Sequence, residues 1–147
     1  MAHKITNNFN RLKQQGFTFM EIMVVIVIIA ILAVMIVPNI LSRVDQARVA
    51  KAENDIRSLE TALDTYKLDN GFYPTTEQGL GALTQKPSTS PIPDNWNGPY
   101  VKQLPKDPWG NFYQYAYPGK HGNDGYDVWS KGPPGKDKEI GSWNLQQ

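Results

Sequence analysis

Apolar residues are crowded into the first third of the chain. From Phe17 to Val37 it reads FTFMEIMVVIVIIAILAVMIV, and Glu21 is the only charge in that stretch. A helix rises about 1.5 Å per residue, so a run of about 21 residues spans about 30 Å, the depth of bilayer hydrocarbon. The segment is predicted to cross a membrane. Pro38 follows it, and the missing N–H and the ring clash of a proline should kink or loosen the helix there and leave a flexible joint. Beyond Pro38 the pattern becomes amphipathic: Val49, Ala52, Ile56, Leu59, Leu63 and Tyr66 recur at steps of three and four, with Arg48, Lys51, Glu53, Arg57 and Lys67 on the other faces. Continued from Phe17 to about Asp69, this is one helix about 80 Å long, stopped by the Asp69-Asn70-Gly71 turn.

From Phe72 onward Pro and Gly punctuate the chain so densely that elements must be short. A helical turn or two is expected across Thr76–Thr84, followed by a long loop through Pro87–Pro99. FYQYAY, from Phe112 to Tyr117, alternates and is rich in aromatics; YDVWS, from Tyr126 to Ser130, is similar. The polar, glycine-rich PGKHGNDG between them has the character of a hairpin loop. A small antiparallel sheet, with one further short strand near the end, should lie on the amphipathic helix. The fold class is α+β, in four segments: 1–16, a short basic leader; 17–37, the apolar helix; 38–70, the amphipathic helix; and 71–147, a small domain.

At 147 residues, less the membrane segment, the soluble part is small. It contains no cysteine, so packing or a metal ion must hold it. Fifteen basic residues against 14 acidic ones leave no electrostatic footprint for nucleic acid. The leader carries Lys4, Arg11 and Lys13 and no acid, which places the N-terminus in the cytoplasm and the rest of the chain across the membrane. No A-x-A site follows the apolar run, where the chain reads MIVPNI, so cleavage ahead of the run is the better reading.

QQG followed by FTFMEIMVVIVIIAILA resembles the signature of type IV pilins and pseudopilins, differing from the commoner FTLIE in Phe19 and Met20. Further on, YKLDNGFYPTTEQGLGAL, Asn95-Trp96, LPKDPWGNFYQY, GYDVWSKG and EIGSW occur in order and narrow the resemblance to the major pseudopilins of type II secretion systems. Type IVa pilins usually close a C-terminal loop with a disulfide, which a chain without cysteine cannot do. The resemblance implies a type IV pilin-like fold, cleavage between Gly16 and Phe17 by a prepilin peptidase, and N-methylation of Phe17. The apolar segment is then retained as the core of a helical filament of this subunit. It further implies minor pseudopilins, an inner-membrane assembly platform and its ATPase as partners. The chain would be single-pass in a bacterial inner membrane, with a periplasmic domain. The filament would help push folded exoproteins through an outer-membrane secretin. The alternatives are a type IV pilus major or minor pilin, or a membrane-anchored periplasmic enzyme or binding protein.

Three groups of residues carry the candidate chemistry. Glu21 needs a reason to lie in hydrocarbon, where an unpaired carboxylate costs several kcal/mol; it is either interfacial or paired with the Phe17 α-amino group of a neighbouring subunit. Glu60 and Asp64, at i and i+4, repel each other unless they face solvent or meet a subunit contact such as Lys102 or Lys106. The resemblance implies calcium in the loop after the last hairpin strand. Where that family has GADG or GPDG this chain has GPPG, with Pro134 in the acidic position and a shorter loop from Gly135 to Ile140. Asp137, Glu139 and the Lys131 carbonyl are the ligands left.

For an enzyme the chain offers His3, in the leader, and His121, which is expected to be an exposed turn residue. Asp107, Asp124, Asp127, Asp137 and Glu139 could supply a carboxylate pair, but so small a domain has little room for a cleft. Trp96, Trp109, Trp129 and Trp143 fit core and interface packing better than a sugar platform. No enzymatic activity is expected.

Overall fold

The structure, a computed structural model, describes residues 16–121 and 125–145, without side chains at 37–39. The leader, apart from Gly16, lies outside the described residues, as does the tip of the predicted hairpin loop. The chain divides into two compact units, Met1–Leu41 and Ser42–Gln147. One helix, α1 (Phe19–Asn70), contributes to both, and its helical assignment continues through Pro38.

Both ends of α1 follow local chemistry. Thr18 caps the start: its Oγ1 accepts the Glu21 N–H at 3.2 Å and its carbonyl accepts the Ile22 N–H at 3.2 Å. At the other end Gly71 takes φ 82°, a conformation that only glycine adopts freely, and its N–H reaches the Lys67 carbonyl at 2.7 Å. In the first unit no described residue covers the apolar segment. Large side chains from Phe17 to Leu41 are exposed, for example Ile28 at 51% and Val34 at 76%. Among the described residues α1 is the helix long and apolar enough to cross a membrane.

The second unit holds the core. Ala52, Ile56, Leu59, Leu63 and Tyr66 of α1 are buried, the stripe expected from their spacing, and each larger apolar side chain gains about 2 kcal/mol from leaving water. Three short strands, β1 (Gln114–Ala116), β2 (Asp127–Ser130) and β3 (Ile140–Gly141), form an antiparallel sheet in the order β1-β2-β3. Tyr115 stands opposite Val128, and both are buried. β1 is shorter than the alternation from Phe112 to Tyr117 predicts. Phe112 turns aside to pair with Lys106 in an isolated bridge, and Pro118, just beyond Tyr117, has no N–H for a ladder. A 3-10 helix, Leu80–Leu83, stands within the stretch expected to be helical and buries Leu80 and Leu83. The loop after it is tied back by Trp96, whose Nε1–H donates to the Ala82 carbonyl at 2.9 Å.

Candidate assembly and metal sites

Gly16, Phe17 and Thr18 precede the helix in non-helical backbone, and all three are exposed. Phe17 is 78% exposed, and a side chain built at Gly16 would meet nothing within 4 Å. Both residues flanking the Gly16–Phe17 bond are therefore exposed. Glu21 sits three residues after the capping Thr18, in the T-x-x-E spacing of a capping box, where its charge also faces the positive end of the helix dipole. Sequence spacing alone carried that signal. Glu21 has no ion-pair partner among the described residues.

Asp64 is engaged within its own chain: its Oδ1 accepts the Tyr73 hydroxyl at 2.9 Å, and Lys67 lies 4.6 Å over the same Tyr73 ring. Lys102 is exposed, while Lys106 stands 5.1 Å over the Phe112 ring. Asp64 is thus anchored, and the anchoring hydroxyl leaves it a second oxygen for another donor.

Lys131, Asp137 and Glu139 do come together, lining one open depression of about 690 Å³ with Lys136, Lys138 and Asn144. The donor set does not suit calcium, which takes six to eight oxygens. Both carboxylates are exposed and share the depression with three ammonium groups. The Glu139 carbonyl already accepts Asn144 Nδ2–H at 3.1 Å, and Asn144 Oδ1 accepts the Gly141 N–H at 2.8 Å. No group of three or more His, Cys, Asp or Glu side chains that could hold a metal ion occurs among the described residues.

Two of the carboxylates, Asp107 and Asp127, are buried and organise the domain. Asp107, 4% exposed, accepts Trp109 N–H at 3.0 Å and Asn111 N–H at 2.8 Å on one oxygen, and the Ser130 hydroxyl at 2.6 Å on the other. An Asp two residues before a Trp-Gly turn is an Asx-turn signal that the sequence carried openly. Asp127, 3% exposed, accepts Lys120 N–H at 2.7 Å, His121 N–H at 3.2 Å and a contact from His121 Nδ1 at 3.1 Å. His121 is therefore more than an exposed turn residue: it is half-exposed and stacks on Trp143 with ring centres 4.2 Å apart. Nothing in the spacing of His121, Asp127 and Trp143 announces that cluster.

The tyrosines that line the core are driven toward their neutral forms. Burial pushes the Tyr115 and Tyr66 hydroxyls up. Burial, and then the hydrogen bond its hydroxyl donates to Asp55 at 2.8 Å, do the same to Tyr113.

Comparison with known proteins accounts for both units. Residues 39–143 match the model of the family described as type II secretion system (T2SS), protein G, and residues 11–37 match the prokaryotic N-terminal methylation motif. The chain is 52% identical over 141 residues to a type II secretion system core protein G of Pseudomonas aeruginosa, covering 91% of this chain and 98% of that protein. A protein of the same name from Vibrio cholerae is also 52% identical over 141 residues, with 91% and 94% covered. Among solved structures, the major pseudopilin of the type 2 secretion system of enterohaemorrhagic Escherichia coli superposes with a TM-score of 0.65 at 42% identity, over 73% of this chain and 92% of that one. With a long helix, a three-stranded antiparallel sheet and a methylation motif that takes in the apolar segment, this chain belongs to the type II secretion system protein G family.

Proposed function

We propose that this chain is the major structural subunit of a type II secretion pseudopilus, a periplasmic filament that helps drive folded exoproteins through an outer-membrane secretin. The observation that carries this reading is the uncovered apolar segment of α1, joined in one helix to a domain with its own core and lying within a methylation motif. Such a segment needs lipid before assembly and other copies of itself afterwards. In this reading a prepilin peptidase cuts at Gly16–Phe17 and the new terminus is methylated. The subunit waits in the inner membrane with its domain in the periplasm. An assembly platform and its ATPase then add it to the filament beside minor pseudopilins. The work is cohesion rather than catalysis, and no cofactor is assigned to it.

Glu21 supplies the pairing group, neutralising the Phe17 α-amino group of the next subunit as both leave lipid. Pro38 marks the joint between segments 17–37 and 38–70, and lateral contacts form through Glu60 and Asp64 of segment 38–70 and Lys102 of domain 71–147. Mass spectrometry of the mature protein tests the first step, with N-methylated Phe17 as the expected terminus. A product that retains Met1 in cells with an active prepilin peptidase would remove the reading. Glu21→Leu should insert and fold but fail to form filaments; normal filaments would remove the pairing. Charge reversal at Asp64 should weaken assembly and be rescued by the opposite reversal at Lys102.

A further inference from the structure

Among the described residues, Glu53, Asp107 and Asp127 are the buried carboxylates. Asp107 and Asp127 are surrounded by donors. Glu53, 9% exposed, has no hydrogen bond or ion pair among the described residues. It stands in a groove of about 310 Å³ between α1 and the loop that follows β2, walled by Val49, Trp109, Pro133 and Ile140. Asp45, also in the groove, is paired with Arg48 at 3.6 Å. The remaining charged groups there are Lys136 and Lys138, both exposed and both from the loop. The Glu53 carboxylate thus opens into an apolar-walled groove without a counter-charge, and a lysine can lay its four methylenes along such a wall while its ammonium reaches in.

The same loop is the one whose donors do not suit calcium. Protein groups already close it. The Lys136 N–H reaches the Pro133 carbonyl at 3.2 Å and the Gly132 N–H reaches Ser130 Oγ at 3.1 Å. Gly132, at φ 76°, lies so close to the Lys138 carbonyl oxygen that a side chain there would collide with it. Among the described residues, no hydrogen bond or ion pair fastens this loop to α1.

We propose that this loop is a metal-independent strap, in which Lys136 and Lys138 close onto Glu53 and this ionic latch, rather than a calcium ion, fastens the loop to α1. The latch belongs to the folded monomer, so it stands or falls separately from polymerisation. The test is thermal unfolding of the full-length protein in detergent, followed by tryptophan fluorescence, since Trp109 lines the groove. Calcium chloride and EDTA should leave the midpoint unchanged, whereas a bound ion would raise it by several degrees. Glu53→Gln and the double change Lys136→Gln, Lys138→Gln should each lower the midpoint by a few degrees. Their combination should lower it by no more than either alone, because both break one interaction. Glu53→Lys with Lys138→Glu should recover part of the loss. The exposed lysines can be changed without risk to folding, so the proposal remains testable if Glu53 variants fail to fold. A midpoint raised by calcium, raised by Glu53→Gln, or lowered additively by the two sets of changes would overturn the latch.

Discussion

The two halves of α1 are built from similar residues and meet opposite fates. Between Ile22 and Ile36 its large apolar side chains stand 43–76% exposed, whereas Ile56, Leu59, Leu63 and Tyr66 are at most 1% exposed. The first half is apolar on every face and completes no core of its own; the second restricts its apolar residues to one stripe, which the sheet and the 3-10 helix cover. Apolar content therefore does not decide whether a segment folds alone. Its angular distribution does: a stripe can be satisfied by one small domain, while an all-round apolar rod needs a surrounding solvent of lipid or a bundle of copies.

The sharpest way to break this contrast is to make a comparable truncation in each half and follow unfolding of the full-length protein in detergent. Leu63→Ala should cost about 4 kcal/mol, because the cavity cannot be refilled. Ile29→Ala, 59% exposed in wild type, should leave the unfolding midpoint where it was; an equal loss would mean that the halves share a core. Next in size, Asp107→Ala strands two backbone N–H groups and the Ser130 hydroxyl, which should cost about 3 kcal/mol in the same assay. A smaller effect, of the opposite sign, is expected at Tyr66. Its hydroxyl is buried with no partner among the described residues, so Tyr66→Phe should stabilise by about 1 kcal/mol.

The smallest effect is titration. All seven tyrosines lie beyond the apolar segment, so phenol ionisation does not act on that segment. The folded chain holds Tyr66, Tyr100, Tyr113 and Tyr115 above the usual phenol range, chiefly through burial. Their stabilising contribution is complete below the unfolded value of about 10 and declines as pH rises beyond it, since the unfolded chain then binds fewer protons. Circular dichroism should show a domain stable up to about pH 10 and weakening above it, while the helicity of the apolar segment in detergent persists.

Parts of the molecule were legible because they depend on short spacings. The stripe from Ala52 to Tyr66, the stop at Gly71 and the two hairpin strands each follow from a local period or a single backbone preference. Thr18 and Glu21 form a local pattern too, with Thr18 capping the helix through the Glu21 N–H. The C-terminal loop was legible only as a departure, with Pro134 where an acid was expected. The Asp127–His121–Trp143 cluster was not legible, since it joins a strand, a hairpin loop and the segment after β3.

By itself, the order of residues determined which part of this protein is long and apolar enough to cross a membrane, where α1 ends and which family its chemistry belongs to, because periodicity, capping and motif spacing are interactions between near neighbours. Only the tertiary structure decided that Asp107 is a hub and that Glu53 faces the loop carrying Lys136 and Lys138. Those environments are made by residues tens of positions apart, and the burial that gives a carboxylate its energetic weight exists only once the chain has closed around it.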